Sequence, residues 1–90
     1  MSNEEEQLIR HGEASEQILG IEAFSGTIDR MVQSTFQAFV NSKPEDTEAR
    51  ERSYAHYRAL VDIVSTLQQQ VSVKNEIIAK NDRDNNEEVE

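Results

Sequence analysis

The feature that most constrains the fold is the stretch of residues 45–80, which contains neither glycine nor proline. As one helix it would be about 50 Å long at 1.5 Å per residue. Apolar residues recur along it in alternating steps of three and four, the a/d pattern of a coiled coil, which is interrupted by a lysine at one d position. This heptad stripe comprises Tyr57, Leu60, Val64, Leu67, Val71, Lys74 and Ile78. A second apolar flank, formed by Tyr54, Val61 and Ile63, predicts that the helix has two neighbours: another helix of its own chain and another subunit.

A second helix is predicted over residues 21–41, because apolar residues again recur at steps of three and four. All three phenylalanines of the chain lie in it, so we expect Phe24, Phe36 and Phe39 to anchor the core. Pro44 separates the two helices, and the spacing of Ser42 and Glu45 suits a capping box at the start of the long helix. A connection this short predicts that the two helices are antiparallel neighbours.

The remaining segments are polar. Residues 1–20 predict a short or frayed helix weakened by Gly12 and Gly20, and residues 81–90 predict a disordered acidic tail. The far half of the long helix lacks an intrachain partner unless the N-terminal helix folds back onto it; otherwise another chain must cover it. The predicted fold class is therefore all-α: an antiparallel helical hairpin with a long C-terminal helix and a short N-terminal helix, forming an oligomeric bundle or coiled coil.

The net charge of −9 is concentrated at the two ends of the chain. Residues 1–22 carry −5 and residues 81–90 carry −4, whereas residues 23–80 hold seven acidic and seven basic residues. This distribution disfavours direct binding to nucleic acid, which requires clustered lysine and arginine. The acidic ends are interpreted as solubilising segments, with mimicry of nucleic acid toward a DNA-binding partner as the alternative.

Several properties point to a cytoplasmic protein that self-associates. The chain has no cysteine and only 36% hydrophobic residues, so partner chains are the stabiliser that remains for so small a core. The acidic start is unlike a signal peptide, and no apolar run approaches the ~20 residues that span a bilayer. We therefore expect a homo-oligomer with no membrane contact.

The tract of residues 50–58 is the best candidate for a ligand site. Arg50, Tyr54, Tyr57 and Arg58 could combine stacking surface with bidentate contacts to an anion such as a nucleotide. The alternative is structural: the tyrosines pack at the mouth of the hairpin and the arginines pair with nearby carboxylates. The predicted oligomer interface comprises Tyr57, Leu60, Val64, Leu67, Val71 and Ile78. No catalytic set, metal spacing or cofactor motif is present, so we predict that the chain is not an enzyme.

Residues 14–70 resemble short helical accessory proteins of tailed bacteriophages and prophages. The resemblance rests on Ile21-Glu22-Ala23-Phe24, then Pro44, then Asp46-Thr47-Glu48-Ala49-Arg50-Glu51. It implies a viral accessory or virion-associated helical protein. With the heptad stripe, our leading hypothesis is a protein of the host cytoplasm or the virion that serves assembly or acts as an adaptor. The alternative is an inhibitor of host defence, either a cyclic-nucleotide sponge or an acidic protein that binds a host defence or DNA-binding protein.

Overall fold

The computed structural model describes residues 2–89 of the chain, and the side chains of residues 2–86. It contains three α-helices: α1 over Asn3–Leu19, α2 over Glu22–Asn41 and α3 over Thr47–Val89. No strand occurs within the described residues. The all-α class predicted from the sequence is confirmed.

Helix α1 is longer and better capped than the short or frayed helix that we expected. The Ser2 side chain accepts a hydrogen bond from the backbone N–H of Glu5 at 3.1 Å, which satisfies one of the free donors of the first turn. Three consecutive glutamates follow in that turn, where negative charge is favoured by the helix dipole. The helix then continues through Gly12 and ends at Gly20, whose N–H donates to the carbonyl of Glu16 at 3.0 Å.

The junction between α2 and α3 differs in detail from the predicted capping box. Ser42 caps the end of α2, because its hydroxyl donates to the carbonyl of Phe39 at 2.7 Å. The start of α3 is capped by Asp46 instead, whose carboxylate accepts from the N–H of Ala49 at 3.1 Å. The long helix therefore begins at Thr47 and not at residue 45.

The disordered tail expected from residue 81 onward is replaced by helix. Helix α3 continues to Val89, so it has 43 residues. The physical reason is that residues 81–89 contain no glycine or proline, and the helix hydrogen bonds can therefore continue. The polar residues that suggested disorder instead form the end of a helix, which has little apolar surface for packing.

Two compact units share α3. One consists of α2 with the first part of α3, within residues 21–65, and the other consists of α1 with the part of α3 from residue 66 onward. In the second unit α1 supplies a partner for the far half of α3. Ser15 is fully buried and its hydroxyl donates to Oε1 of Gln70 at 2.6 Å. The alternative in which α1 folds back onto α3 is thus the one that the structure shows.

Lys74, the residue that interrupts the heptad stripe, is accommodated by α1. Gly12 lies directly against it: a Cβ added to this glycine would overlap the Cβ of Lys74 and lie 2.8 Å from the carbonyl oxygen of Gln70. The Lys74 side chain is only 11% exposed, and its ammonium group forms an ion pair with Glu16. Gly12 therefore leaves room for the aliphatic part of the Lys74 side chain. Glu16, one turn further along α1, pairs with the charge of its ammonium group.

Candidate functional site

Arg50 lies in the first turn of α3, and its side chain reaches back to the loop between α2 and α3. Its Nη1 donates to the carbonyl oxygens of Lys43 at 2.8 Å and Pro44 at 2.6 Å. These bonds tie α3 to the loop that precedes it, where the Lys43 carbonyl also accepts from the backbone N–H of Asp46 at 2.9 Å. Arg50 therefore makes structural contacts, and its place in a ligand site stays a prediction.

We expect Arg50→Met to lower the free energy of unfolding by about 1 kcal/mol, because the methionine keeps an apolar stem but donates no hydrogen bond. Urea denaturation followed by circular dichroism measures the change. Arg52→Met is the matched control, since Arg52 is exposed two residues further along α3. Equal losses in the two variants would show that the loop carbonyls do not depend on Arg50.

Arg58 is engaged with its own helix. Its Nη2 lies 3.4 Å from Oδ1 of Asp62, one turn further along α3, and both side chains are more than half exposed. An exposed pair of this kind contributes little to stability, roughly 0.3–0.5 kcal/mol. The structure therefore places the two arginines of the predicted ligand site in separate local contacts.

The two tyrosines of the predicted site lie together with two phenylalanines of α2. They form an open cleft of about 270 Å³, called here the aromatic cleft, which is lined by Thr35, Phe36, Phe39, Ser53, Tyr54 and Tyr57. Neither arginine is among these lining residues. Four of the five aromatic residues of the chain thus meet at one surface of the unit formed by residues 21–65.

The aromatic rings of this cleft are largely exposed. Phe36 is 62% exposed, Phe39 43% and Tyr54 57%. The expectation that Phe36 and Phe39 anchor the core is therefore wrong, and only Phe24 is half-buried. The reason is geometric: two helices touch along one line, and within the unit of α2 and early α3 no third helix covers the rings. For the same reason, the sequence did not indicate that Phe36 and Phe39 line this cleft.

The chemistry of the aromatic cleft is apolar and neutral. None of its six lining residues carries a charge at neutral pH, and the hydroxyl of Thr35 donates to the carbonyl of Val32 at 2.8 Å within α2. Phe36 and Tyr57 also line a neighbouring cleft of about 380 Å³ with Val32, Gln33 and Gln37. These two rings therefore stand between two depressions, which suits contact with another apolar surface better than with an anion.

The predicted oligomer interface is only partly accessible. Leu60 is 7% exposed and lies in the unit of α2 and early α3, so its own chain buries it and the prediction that it contacts another subunit needs correction. Val64, Leu67 and Val71 are half-buried, whereas Tyr57 and Ile78 are exposed. Much of the heptad stripe therefore packs within the chain, and Tyr57 is the member that joins the aromatic cleft.

Elsewhere along the described residues, 2–89, the chain has a small depression but no metal-binding cluster. No group of three or more His, Asp or Glu side chains in that range is arranged to hold a metal ion. His11 lines a small depression of about 120 Å³ with Leu8, Gln69, Gln70 and Val73. None of the described helices combines the length and the apolar character needed to cross a membrane.

Comparisons with known proteins give no relative to guide the interpretation of these sites. The chain matches no protein-family model, and no significant similarity was found to a curated protein or to a solved structure.

Proposed function

We propose that the chain is a non-enzymatic helical interaction protein that works as a homo-oligomer. In this proposal α2 and the first part of α3 form the antiparallel hairpin predicted from the sequence, and copies of the hairpin associate through apolar surface left exposed on each chain. One cleft is lined by residues of both helices, which supports their pairing as a hairpin. These residues are Phe36 and Phe39 on α2, and Tyr54 and Tyr57 on α3.

The main support for the proposal is that few of the apolar side chains are buried. Leu60 is the one buried apolar side chain among those that the structure describes. Many other large apolar side chains are exposed: Leu8, Ile18, Ile21, Met31, Phe36, Phe39, Val40, Tyr54, Tyr57, Ile63 and Ile78. A small chain must bury apolar surface to offset the conformational entropy lost on folding, and association with further copies supplies that burial.

The positions of the arginines make a protein partner a better candidate than a nucleotide. Arg50 donates to two loop carbonyls and Arg58 pairs with Asp62, so binding a phosphate there would compete with existing contacts. The exposed aromatic rings need no such rearrangement to meet another protein surface. Tyrosine and phenylalanine are enriched at protein interfaces, because each ring contributes a large contact area.

In biological terms, we propose that the protein serves phage assembly or acts as a phage-encoded adaptor in the host cytoplasm. Its support is the resemblance carried by residues 21–24 and 44–51, together with the exposed apolar surface. Assembly and adaptor proteins act by presenting surfaces, which agrees with a small helical chain whose largest cluster of aromatic rings is exposed.

We expect the full chain to be a stable oligomer at micromolar concentration. Light scattering coupled to size exclusion should give a mass that is a multiple of 10.3 kDa, and sedimentation equilibrium should give the association constant. The oligomer should persist in 1 M salt, since apolar contacts are not screened by ions. A monomeric mass across the micromolar range would contradict the proposal.

A further inference from the structure

We propose that the aromatic cleft is the surface through which two copies of this chain meet, and that its occupant is the same cleft of the second copy, related by a two-fold axis. This inference rests on the proposed self-association and names the surface responsible. The rings of Phe36, Phe39, Tyr54 and Tyr57 form its centre.

The exposed area of the chain is large enough for such an interface. A monomeric protein of 10.3 kDa exposes about 5,400 Å² by the usual scaling of surface with mass, whereas this chain exposes 7004 Å². The excess is about 1,600 Å² by the same scaling. A standard interface takes about 800 Å² from each partner, and obligate dimers take about 1,000 Å² or more from each. The excess belongs to the whole chain and is large enough for one self-associating surface, to which the exposed rings of the aromatic cleft contribute.

The relief of the cleft suits a two-fold contact. Phe36 and Tyr57 line both of two neighbouring depressions, one of about 270 Å³ and one of about 380 Å³, so exposed rings and grooves share this surface. A surface that holds a ridge next to a groove can match itself, because a two-fold axis brings the ridge of each copy into a groove of the other. Ring against ring in offset or edge-to-face contact is the preferred geometry for such pairs.

Charge also favours the pairing of this unit with its own copy. Residues 21–65 hold seven acidic and five basic residues, a net charge of −2, and the rest of the chain carries −7. Like-charge repulsion between two copies of the unit with the aromatic cleft is therefore small. Two copies of the other unit would repel each other more strongly at the same separation.

The first test places a charge in the cleft. Phe36→Asp is expected to weaken self-association at least about 30-fold, as hot-spot truncations do, and to give a monomer in sedimentation equilibrium at concentrations where the parent chain is associated. Met31→Asp is the matched control on α2, because Met31 is also exposed but does not line the cleft. It should leave the association constant within a few-fold of the parent value.

The second test does not depend on the acidic variant folding. The chain has no tryptophan, so Phe36→Trp places a single fluorophore in the cleft and keeps an aromatic ring there. Its emission should be blue-shifted in the oligomer and move to longer wavelength on dilution, whereas emission from Met31→Trp should not depend on concentration.

The outcomes separate this inference from the proposed function. If the parent chain associates and Phe36→Asp associates equally well, the cleft is not the interface, while the proposal of an oligomeric protein stands. If Phe36→Trp emission does not change on dilution through the dissociation range, the inference is also overturned. A parent chain that is monomeric overturns both, and the cleft would then serve a different protein.

Discussion

Leu60→Ala is expected to lower the free energy of unfolding by about 2–5 kcal/mol, the usual cost of removing a buried leucine side chain. Leu60 is 7% exposed and is the one apolar side chain that the described part of the chain buries. The truncation leaves a cavity between α2 and α3 that two helices cannot readily close. In a domain this small, such a loss is a large fraction of the total stability, so the variant should be substantially unfolded at 37 °C.

The measurement is urea denaturation followed by circular dichroism at 222 nm. Parent and variant must be compared at the same protein concentration, because the stability of an associating chain depends on concentration. Ile63→Ala is the matched control: Ile63 lies three residues further along α3 and is exposed. It should cost less than about 1 kcal/mol, as surface truncations do. Similar losses for the two variants would show that Leu60 is not the centre of the packing.

The helices themselves could be predicted from the sequence because their signals are local. The apolar steps along residues 45–80 and 21–41 predicted α3 and α2, and Pro44 predicted the break between them. The exact start of α3 could not be predicted in the same way. Ser42 and Asp46 both suit a cap, and the backbone of the loop decides that Ser42 bonds to Phe39 while Asp46 caps α3.

The exposure of the aromatic residues could not be predicted from their spacing. It depends on how many helices surround an apolar helix face, and not on the residues of that face alone. The spacing of Phe36 and Phe39 is that of a buried face, yet both are exposed. A signal was nevertheless present: a hairpin of two helices cannot bury three phenylalanines and two tyrosines. Counting rings against the available helix faces would have predicted that some of these rings, such as Phe36 and Tyr57, stay exposed.

Of the four residues predicted to form a ligand site, the structure brings only the two tyrosines together. Tyr54 and Tyr57 do lie together, since their spacing on one helix fixes their face. The arginines do not join them, because long side chains reach whichever acceptor is nearest. For Arg50 that is a pair of loop carbonyls, which no sequence pattern marks.

The role of Gly12 depends on a contact between residues far apart in sequence. From the sequence this glycine only weakens a helix. In the structure it is buried against Lys74 and Gln70, so α1 and α3 are in close contact at this position. The same amino acid at position 26 has open surroundings: a Cβ there would find its nearest neighbour, Nη1 of Arg30, at 3.6 Å. Replacing glycine by alanine at position 12 and, separately, at position 26 therefore tests the packing of α1.

Gly26→Ala is expected to stabilise the chain by about 0.8–1.0 kcal/mol, which is the gain in helix propensity from glycine to alanine inside a helix. Gly12→Ala makes the same local gain on α1, but its Cβ overlaps the Cβ of Lys74 and lies 2.8 Å from the Gln70 carbonyl oxygen. Neither is the movable end of a flexible side chain, so α1 must shift. Overpacking of this kind costs about 1–3 kcal/mol, and the net change should be destabilising.

Hydrogen exchange of the α1 amides measures the displacement directly. In Gly12→Ala, exchange across Asn3–Leu19 should accelerate at least about 5-fold, because the shift breaks the bond from Ser15 to Gln70 and separates Glu16 from Lys74. In Gly26→Ala it should not change. A bulkier Gly12→Leu should enlarge the effect, since its side chain cannot enter the contact at all. If alanine stabilised the chain equally at both positions, α1 would not pack against α3 in solution. Opposite signs for one chemical change would show that packing, and not helix propensity, determines why position 12 is glycine.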